Sequence, residues 1–337
     1  MQVTYFQRRR RPNANFSLEF IFENVRECLK DRIQSRVAIA PTFSNGVFRR
    51  LWIGFDAMFR QGRINHVTGD INFVALFLSR KRTVLTILDC GFLNRPPSLR
   101  RFLIKMFWLD FPLHAATVVT TISEHAKSEI VKLSGCDPRK VVVIPVAISE
   151  KFQPHAKSEL DSPPRLLQIG TAYNKNIPRL IEALRDIPCV LVIVGVIDAN
   201  LQKRLHDCNI TYENYLNLNQ DDLVDQYRRA DVIAYASTYE GFGMPIVEAQ
   251  AVGRPVVTSN TSSMPDVAGD AACLVDPLDI SSIRVGIRRV LEDSEFRRKL
   301  VQRGYANAKR FDAQKIAEQY LSVYQQVANG LIDTRLR

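Results

Sequence analysis

The 337-residue sequence lacks paired cysteines, long apolar runs and an evident leader. Its six cysteines are scattered along the chain, which argues against a zinc site and predicts a reducing compartment. No apolar run approaches the roughly 20 residues that a membrane-spanning helix needs. The first residues also lack the apolar core and cleavage site of a signal peptide, so we expect a cytoplasmic protein.

Acidic residues are scarce in the first half of the chain. Residues 1–150 hold 23 Lys and Arg against 12 Asp and Glu, whereas residues 151–337 hold 23 of each. A basic half predicts an anionic partner such as a membrane surface, a phosphorylated lipid or nucleic acid. Because no nucleic-acid recognition motif accompanies the charge, we disfavour nucleic acid.

Strands and helices alternate in both halves, which predicts parallel sheets covered on both faces. The proline-containing segment 150–164 indicates a linker. We therefore expect two doubly wound domains, 1–155 and 156–310, followed by a helix in 311–337 that packs back toward the first domain. The predicted buried strands of the first half are Val3–Phe6, Val37–Ala40, Thr83–Leu88, Val118–Ile122 and Val141–Pro145.

Two glutamates, Glu240 and Glu248, flank the sequence Gly-Phe-Gly-Met-Pro-Ile-Val. An apolar strand over 231–237 precedes them, and Pro245 suits the first turn of a helix that Gly253 would end. A strand, a glycine turn and a helix start place backbone N–H groups where a phosphate can bind. Two carboxylates there can accept hydrogen bonds from the hydroxyl pairs of a sugar and a ribose.

This stretch resembles the donor-site signature of family-4 retaining glycosyltransferases (glycosyltransferases group 1), which have the GT-B fold. Two further segments, Ile169–Asn176 and Ser259–Ala271, resemble other donor-domain motifs of that family. The family usually has glutamate at the position of Asp266. The resemblance implies two Rossmann-like domains that face a central cleft.

The resemblance also implies roles for individual residues. Lys175 would neutralise the leaving diphosphate, Glu240 would hold the transferred sugar, and Glu248 would hold the ribose hydroxyls. No Asp-x-Asp metal motif occurs in a suitable loop, so we expect no metal and no cofactor beyond the UDP- or GDP-sugar substrate. The expected donor-binding residues are Gly170, Thr171, Lys175, Glu240, Gly241, Phe242, Gly243, Met244, Pro245, Glu248, Ser262 and Ser263.

The first half resembles acceptor-domain motifs at Asn65–Asp70 and Leu85–Phe92. Many relatives have histidine before the aspartate of the second motif, where this chain has Leu88. Either His66 or Asp89 is then the candidate for the role of that histidine. We include both in the expected catalytic set with Glu240 and Lys175.

Basic and aromatic residues combine in segment 99–113, which predicts either an interfacial anchor or a core helix with a solvated basic side. Arg8 to Arg11 are candidates for a lipid phosphate site. The predicted function is hexosyl transfer from a nucleotide sugar to a glycan or lipid-linked acceptor, with peripheral contact at the inner face of the plasma membrane. The alternatives are a soluble sugar acceptor and a nucleotide-sugar-binding protein without catalysis, the latter suggested by Leu88.

Overall fold

The computed structural model describes residues 1–9, 17–93, 96–157 and 159–331, and the side chains of residues 17–20 lie outside this description. The chain forms two compact units. The first contains residues up to Ala147 together with the last helix, which begins at Ala313. The second extends from Ile148 to Asp312.

The first unit is a six-stranded sheet of order β2-β1-β3-β4-β5-β6 in which every neighbouring pair is parallel. Its strands are β1 (Gln2–Gln7), β2 (Gln34–Ile39), β3 (Ile64–Thr68), β4 (Thr83–Thr86), β5 (Val118–Thr121) and β6 (Val141–Val143). Its helices are α1 (Ser17–Cys28), α2 (Val47–Met58), α3 (Leu99–Lys105), α4 (Phe111–Ala115), α5 (Glu124–Ser134) and α13 (Ala313–Ala328). A π-helical turn, Met106–Asp110, joins α3 to α4.

Helices cover both faces of this sheet, as the apolar strands predict. On one face, a continuous core joins Ile53 of α2 to Leu109 and Leu113 of the α3–α4 region. On the other face, α1 packs against α13, with the rings of Phe22 and Tyr320 in edge contact. The last helix therefore completes the core of the first unit.

The second unit repeats this architecture with a parallel sheet of order β12-β11-β10-β7-β8-β9. Its strands are β7 (Arg165–Ile169), β8 (Val190–Val194), β9 (Thr211–Tyr215), β10 (Val232–Tyr235), β11 (Val256–Ser259) and β12 (Cys273–Val275). Its helices are α6 (Ile177–Leu184), α7 (Ala199–Asp207), α8 (Gln220–Arg229), α9 (Met244–Val252), α10 (Met264–Ala268), α11 (Ile280–Glu292) and α12 (Ser294–Ala308).

Two strand predictions for the first unit need correction. The segment Val37–Ala40 was predicted as a buried strand, but β2 lies at the edge of the sheet and most of its side chains are exposed. The sequence reading also missed β3, whose five residues are all buried between β1 and β4. An asparagine and a histidine interrupt its apolar run, which hides the strand signal.

The two-sheet α/β architecture confirms the predicted fold class. In the second unit, β7 and β10 are neighbours, so the loops after them begin at the same edge of the sheet. That edge is where the donor motifs meet. None of the helices in the described part of the chain has the length and apolarity needed to cross a bilayer.

Candidate active site

The turn between β10 and α9 brings the backbone into the geometry that the sequence predicts. Gly243 has φ +105°, in the left-handed region that glycine adopts without strain, and it occupies the cap position of α9. A β-carbon there would lie 3.1 Å from the Ile246 side chain. Pro245 falls in the first turn, and Gly253 ends the helix with φ +85°. The glycine cap leaves the helix start uncovered by a side chain of its own.

Two serines hold the loop that carries Glu240. The Glu240 N–H donates to Ser262 Oγ at 3.1 Å, and Ser263 Oγ lies 2.9 Å and 2.7 Å from the carbonyl oxygens of Glu240 and Phe242. Ser263 is fully buried. Its predicted direct contact with the donor is therefore corrected to a positioning role, because the hydroxyl is directed at the loop backbone.

The side chain of Phe242 is also buried, in edge contact with the Phe311 ring at 5.5 Å between centroids. Only the backbone of this residue can then face a ligand. This agrees with the expected use of the backbone from Phe242 to Met244, which stays a prediction together with the adjoining Gly241.

Lys175 and Glu240 lie 65 residues apart in sequence and form an ion pair. Lys175 Nζ donates to Glu240 Oε1 at 2.7 Å and to the Tyr235 hydroxyl at 2.5 Å. Asn174 Nδ2 approaches the same carboxylate oxygen at 3.2 Å. Burial and the Glu240 charge raise the pKa of Tyr235 well above its usual range, so this hydroxyl remains a neutral hydrogen-bonding group.

Two glycines give the Lys175 loop the space it needs. Gly170 has φ +82°, and a β-carbon on it would lie 3.0 Å from Lys175 Cε. Gly195, at the end of β8, has φ +141°, and a β-carbon there would lie 2.8 Å from Thr171 Cγ2. Gly170 and Thr171 were among the donor-binding residues predicted from the sequence, but Gly195 was not. The position of Gly195 directly after an apolar strand was the available signal.

Glu248 lies on α9 and is half-buried. Tyr227 donates its hydroxyl hydrogen to Glu248 Oε2 at 2.6 Å. Burial raises the pKa of Glu248 to about 7, against the opposing effects of the Tyr227 hydrogen bond and the Lys175 charge. The carboxyl group therefore changes charge near neutral pH. Sequence reasoning did not identify Tyr227 or Tyr235 because aromatic residues at apolar positions look like ordinary core residues.

The predicted catalytic role of His66 is wrong. The ring is fully buried in the middle of β3, among Tyr5, Phe22 and Tyr320. Its Nδ1 lies 2.8 Å from the Tyr324 hydroxyl and its Nε2 lies 2.7 Å from Thr86 Oγ1. Burial lowers the pKa of His66 to about 3, so the ring is neutral and cannot reach a substrate.

Asp89 remains a candidate in the first unit. It follows β4 and is half-buried, and its Oδ1 accepts a hydrogen bond from the Gly91 N–H at 2.8 Å. The adjacent Leu88 is also half-buried and offers no proton acceptor. The catalytic role of Asp89 stays a prediction.

Arg8, the first residue of the predicted basic cluster, pairs with Asp70 at 3.0 Å. Arg9 donates to the Pro41 carbonyl at 3.0 Å, while Arg10 and Arg11 lie outside the described residues. The described part of this cluster thus already has protein partners. A lipid phosphate site here stays a prediction.

A family model described as "Glycosyl transferases group 1" matches residues 150–307, which include the whole Lys175, Glu240 and Glu248 arrangement. The O-antigen chain mannosyltransferase B of Escherichia coli is 31% identical over 272 residues, covering 73% of this chain and 70% of that protein. The chain belongs to the glycosyl transferases group 1 family. This confirms the predicted family resemblance and the predicted enzyme class, a glycosyltransferase.

Other relatives of this group 1 glycosyltransferase are more distant. The MMP alpha-(1->4)-mannosyltransferase of Mycolicibacterium hassiacum is 28% identical over 220 residues, covering 61% of this chain and 53% of that protein. The structure of HepE from Anabaena in complex with UDP and glucose superposes with a TM-score of 0.75 at 15% identity, covering 97% of this chain and 100% of that one. At that identity the likeness concerns the fold.

Proposed function

We propose that this glycosyltransferase transfers mannose, with retention of anomeric configuration, from a nucleoside-diphosphate donor to a glycan or lipid-linked acceptor in surface polysaccharide synthesis. The observation that carries the proposal is the meeting of Lys175 and Glu240 beside the start of α9, with Glu248 one turn into that helix. Mannose is chosen because several of the similar enzymes are named as mannosyltransferases.

The donor would bind by exchanging partners within this site. A diphosphate is attracted to the Lys175 ammonium and to the N–H groups at the start of α9. Its arrival would separate Lys175 from Glu240 and leave the Glu240 carboxylate to accept hydrogen bonds from sugar hydroxyls. Glu248 in its ionised form would accept hydrogen bonds from the ribose hydroxyls.

The same cation would act during the reaction. The bond between the sugar C1 and the phosphate oxygen breaks, and the acceptor hydroxyl oxygen forms the new bond to C1 on the same face. The acceptor proton passes to an oxygen of the departing phosphate. Lys175 stabilises the negative charge that develops there. This route needs no side-chain base, which is compatible with Leu88 in the first unit.

We propose that the reaction proceeds without a divalent metal. Within the described residues, no three His, Cys, Asp or Glu side chains are grouped as metal ligands would be. Lys175 and the helix start can supply the positive potential that a metal provides in other phosphate sites. Undiminished transfer in the presence of EDTA would support this part of the proposal, and restoration of lost activity by Mg²⁺ or Mn²⁺ would refute it.

The decisive experiment measures binding and slow hydrolysis of UDP-, GDP- and ADP-sugars, mannose and glucose among them. Lys175→Ala and Glu248→Ala are compared with Lys299→Ala. Lys299 is a matched control because it pairs with Glu295 at the same 2.7 Å, but on the surface of the same unit. Selective binding that only the two site variants lose, with sugar release by the wild type, is the expected result.

Two other outcomes distinguish the alternatives. Selective donor binding without hydrolysis, and without transfer to lipid-linked or soluble sugar acceptors, would favour a binding protein that lacks catalysis. Transfer to soluble sugars alone would show that the acceptor is a soluble sugar and not a lipid-linked one. Retention is checked separately by the anomeric proton coupling of the product, since an inverted product would exclude the proposed stereochemistry.

We further propose that the enzyme works at the inner face of the plasma membrane, where a lipid-linked acceptor would be available. The six cysteines, all within the described residues, form no disulfide, and five of them are buried, which supports a reducing compartment. Part of the predicted anchor segment faces solvent: Phe102, Leu103 and Phe107 are exposed, whereas Leu109 and Leu113 are buried. Exposed apolar side chains beside basic residues support contact with a bilayer surface.

A further inference from the structure

Helix α2 of the first unit is anchored through one face only. Ile53, Gly54 and Ala57 are its buried residues and face the core. A β-carbon on Gly54 would lie 2.4 Å from the Phe77 ring, so the helix packs as closely as a glycine permits. The apolar residues on the opposite side of α2 are therefore not needed to hold it in place.

The outward face of α2 carries a stripe of large aromatic side chains. Phe48, Trp52, Phe55 and Phe59 are 88%, 60%, 52% and 87% exposed. Their spacing of four, three and four residues places them on one side of the helix and of the turn that follows it. Leu51 and Met58, also exposed, widen the stripe. An exposed apolar patch of this kind marks an interaction surface.

The charged residues around this stripe are almost all basic. Residues 34–63 contain five arginines and one acidic residue, Asp56, which pairs with Arg60 at 3.1 Å. Arg36, Arg49 and Arg63 are exposed. The charge that remains near the stripe is therefore positive, and an anionic surface is its complement.

Helix α2 also contacts the predicted anchor segment, residues 99–113. The Arg50 guanidinium lies 4.5 Å from the centre of the Trp108 ring, and Phe55 contacts Phe77 at 6.0 Å between centroids. The first contact joins α2 to the α3–α4 region directly. Phe77 belongs to the 3₁₀ segment Asn72–Phe77, which contacts both α2 and α4 on the same face of the sheet. The apolar side chains exposed in that region are Leu99, Phe102, Leu103, Phe107 and Phe111.

We infer that the outward face of α2 is a docking surface for a membrane that contains anionic phospholipid. The aromatic side chains would enter the boundary between headgroups and acyl chains, and the surrounding arginines would contact lipid phosphates. A second copy of the chain is a poorer occupant, because a symmetric contact would bring arginines of like charge together. The inference rests on the proposed function only in that a lipid-linked acceptor gives the docking a purpose.

The test measures binding of the full chain to phosphatidylcholine vesicles with and without phosphatidylglycerol. A Trp52→Gln, Phe55→Gln double variant is compared with Val285→Gln, which changes an exposed apolar residue on α11 of the second unit. We expect the double variant to bind anionic vesicles at least about tenfold more weakly, with the control unchanged. Arg49→Glu should weaken binding only to vesicles that contain phosphatidylglycerol.

Tryptophan fluorescence locates the contact directly, because the chain has only Trp52 and Trp108. In a Trp108→Phe protein, emission from Trp52 should shift to shorter wavelength on anionic vesicles and should be quenched by brominated acyl chains. Vesicle binding with an unchanged Trp52 spectrum and no quenching would overturn the inference, since another surface would then make the contact.

Donor binding measured on the same samples separates this inference from the proposed function. If the wild-type protein binds its donor and transfers the sugar but does not bind anionic vesicles, the docking inference is overturned and the proposed function stands. Vesicle binding without affinity for any nucleotide sugar would support the docking surface and overturn the proposed function. If the wild type were a dimer in the absence of vesicles and the double variant a monomer, the surface would bind a second copy of the chain, and the membrane-docking inference would be overturned.

Discussion

The charge of Glu248 should control donor affinity near neutral pH. Its pKa is raised to about 7 by burial. Only the ionised carboxylate offers all its lone pairs to the ribose hydroxyls. With a pKa near 7, about one tenth of the molecules are ionised at pH 6 and about nine tenths at pH 8. We therefore expect the affinity for the donor to rise about tenfold between pH 6 and pH 8.

The same residue should affect stability, and the sign follows from its protonation. Because the folded state holds the proton more tightly than the unfolded chain, the contribution of Glu248 is most favourable below its ordinary pKa of 4.5. It declines as the pH rises toward 7 and is lowest above that value, by roughly 3 kcal/mol at most. Glu248→Gln should therefore gain stability relative to the wild type at pH 8 but not at pH 4.

The assay is calorimetric titration with a nucleotide sugar, whose diphosphate does not itself change charge in this range. Glu248→Gln is the matched variant, since it keeps the size and removes the titration. Its affinity should be weak and independent of pH from 6 to 8. An equal rise in affinity for both proteins would refute the assignment of the effect to Glu248, as would a wild-type affinity that stays flat while the variant binds weakly.

Three further predictions concern other positions. Lys175→Ala should lower the transfer rate by about 100-fold, since a preorganised charge at the leaving group is lost, whereas Lys299→Ala should leave steady-state kinetics unchanged. His66→Ala should destabilise the fold by about 2–4 kcal/mol in urea unfolding, because a cavity forms and the buried hydroxyls of Tyr324 and Thr86 each lose one hydrogen-bond partner. Gly195→Ala should weaken donor binding in titration about tenfold by displacing Thr171, with circular dichroism showing the fold retained.

Each of these has a contrary result. Equal rates for the Lys175 and Lys299 variants would remove the lysine from the proposed chemistry. A folded His66 variant of normal stability and no activity would restore the catalytic role that burial excludes. The contribution of His66 to stability should decline as the pH falls below 6.5, since the ring takes up a proton only on unfolding until about pH 3. This decline opposes the gain from Glu248 and should be absent from the His66 variant. Undisturbed donor binding in the Gly195 variant would show that the loop has room to adapt.

Local chemistry explains why the sequence predicts so much of the donor turn. An apolar run is long enough for one buried strand, a glycine suits positive φ, and proline suits the first turn of a helix. These are properties of adjacent residues, and β10, Gly243 and α9 appear where they predict. The two parallel sheets follow for the same reason, because alternating strands and helices leave few other arrangements.

The contacts that define the site depend on residues distant in sequence. The pairing of Lys175 with Glu240 exists because β7 and β10 are neighbours, an order that no local pattern states. The raised pKa of Glu248 likewise arises from burial, which outweighs the lowering effect of the hydrogen bond from Tyr227 on another helix. Packing of the second unit, rather than any motif, sets this electrostatic environment.

Burial separates what the sequence alone determined from what only the tertiary structure decided. The sequence determined the two-sheet fold, the group 1 resemblance and the residues of the donor turn, because these follow from adjacent residue types. It offered His66 as a site residue, yet β3 places the ring inside the core. Conversely, an aromatic stripe such as Phe48, Trp52 and Phe55 predicts a face turned to the core. In the structure smaller residues fill that place and the stripe faces outward, because a side chain's exposure depends on which elements pack beside it.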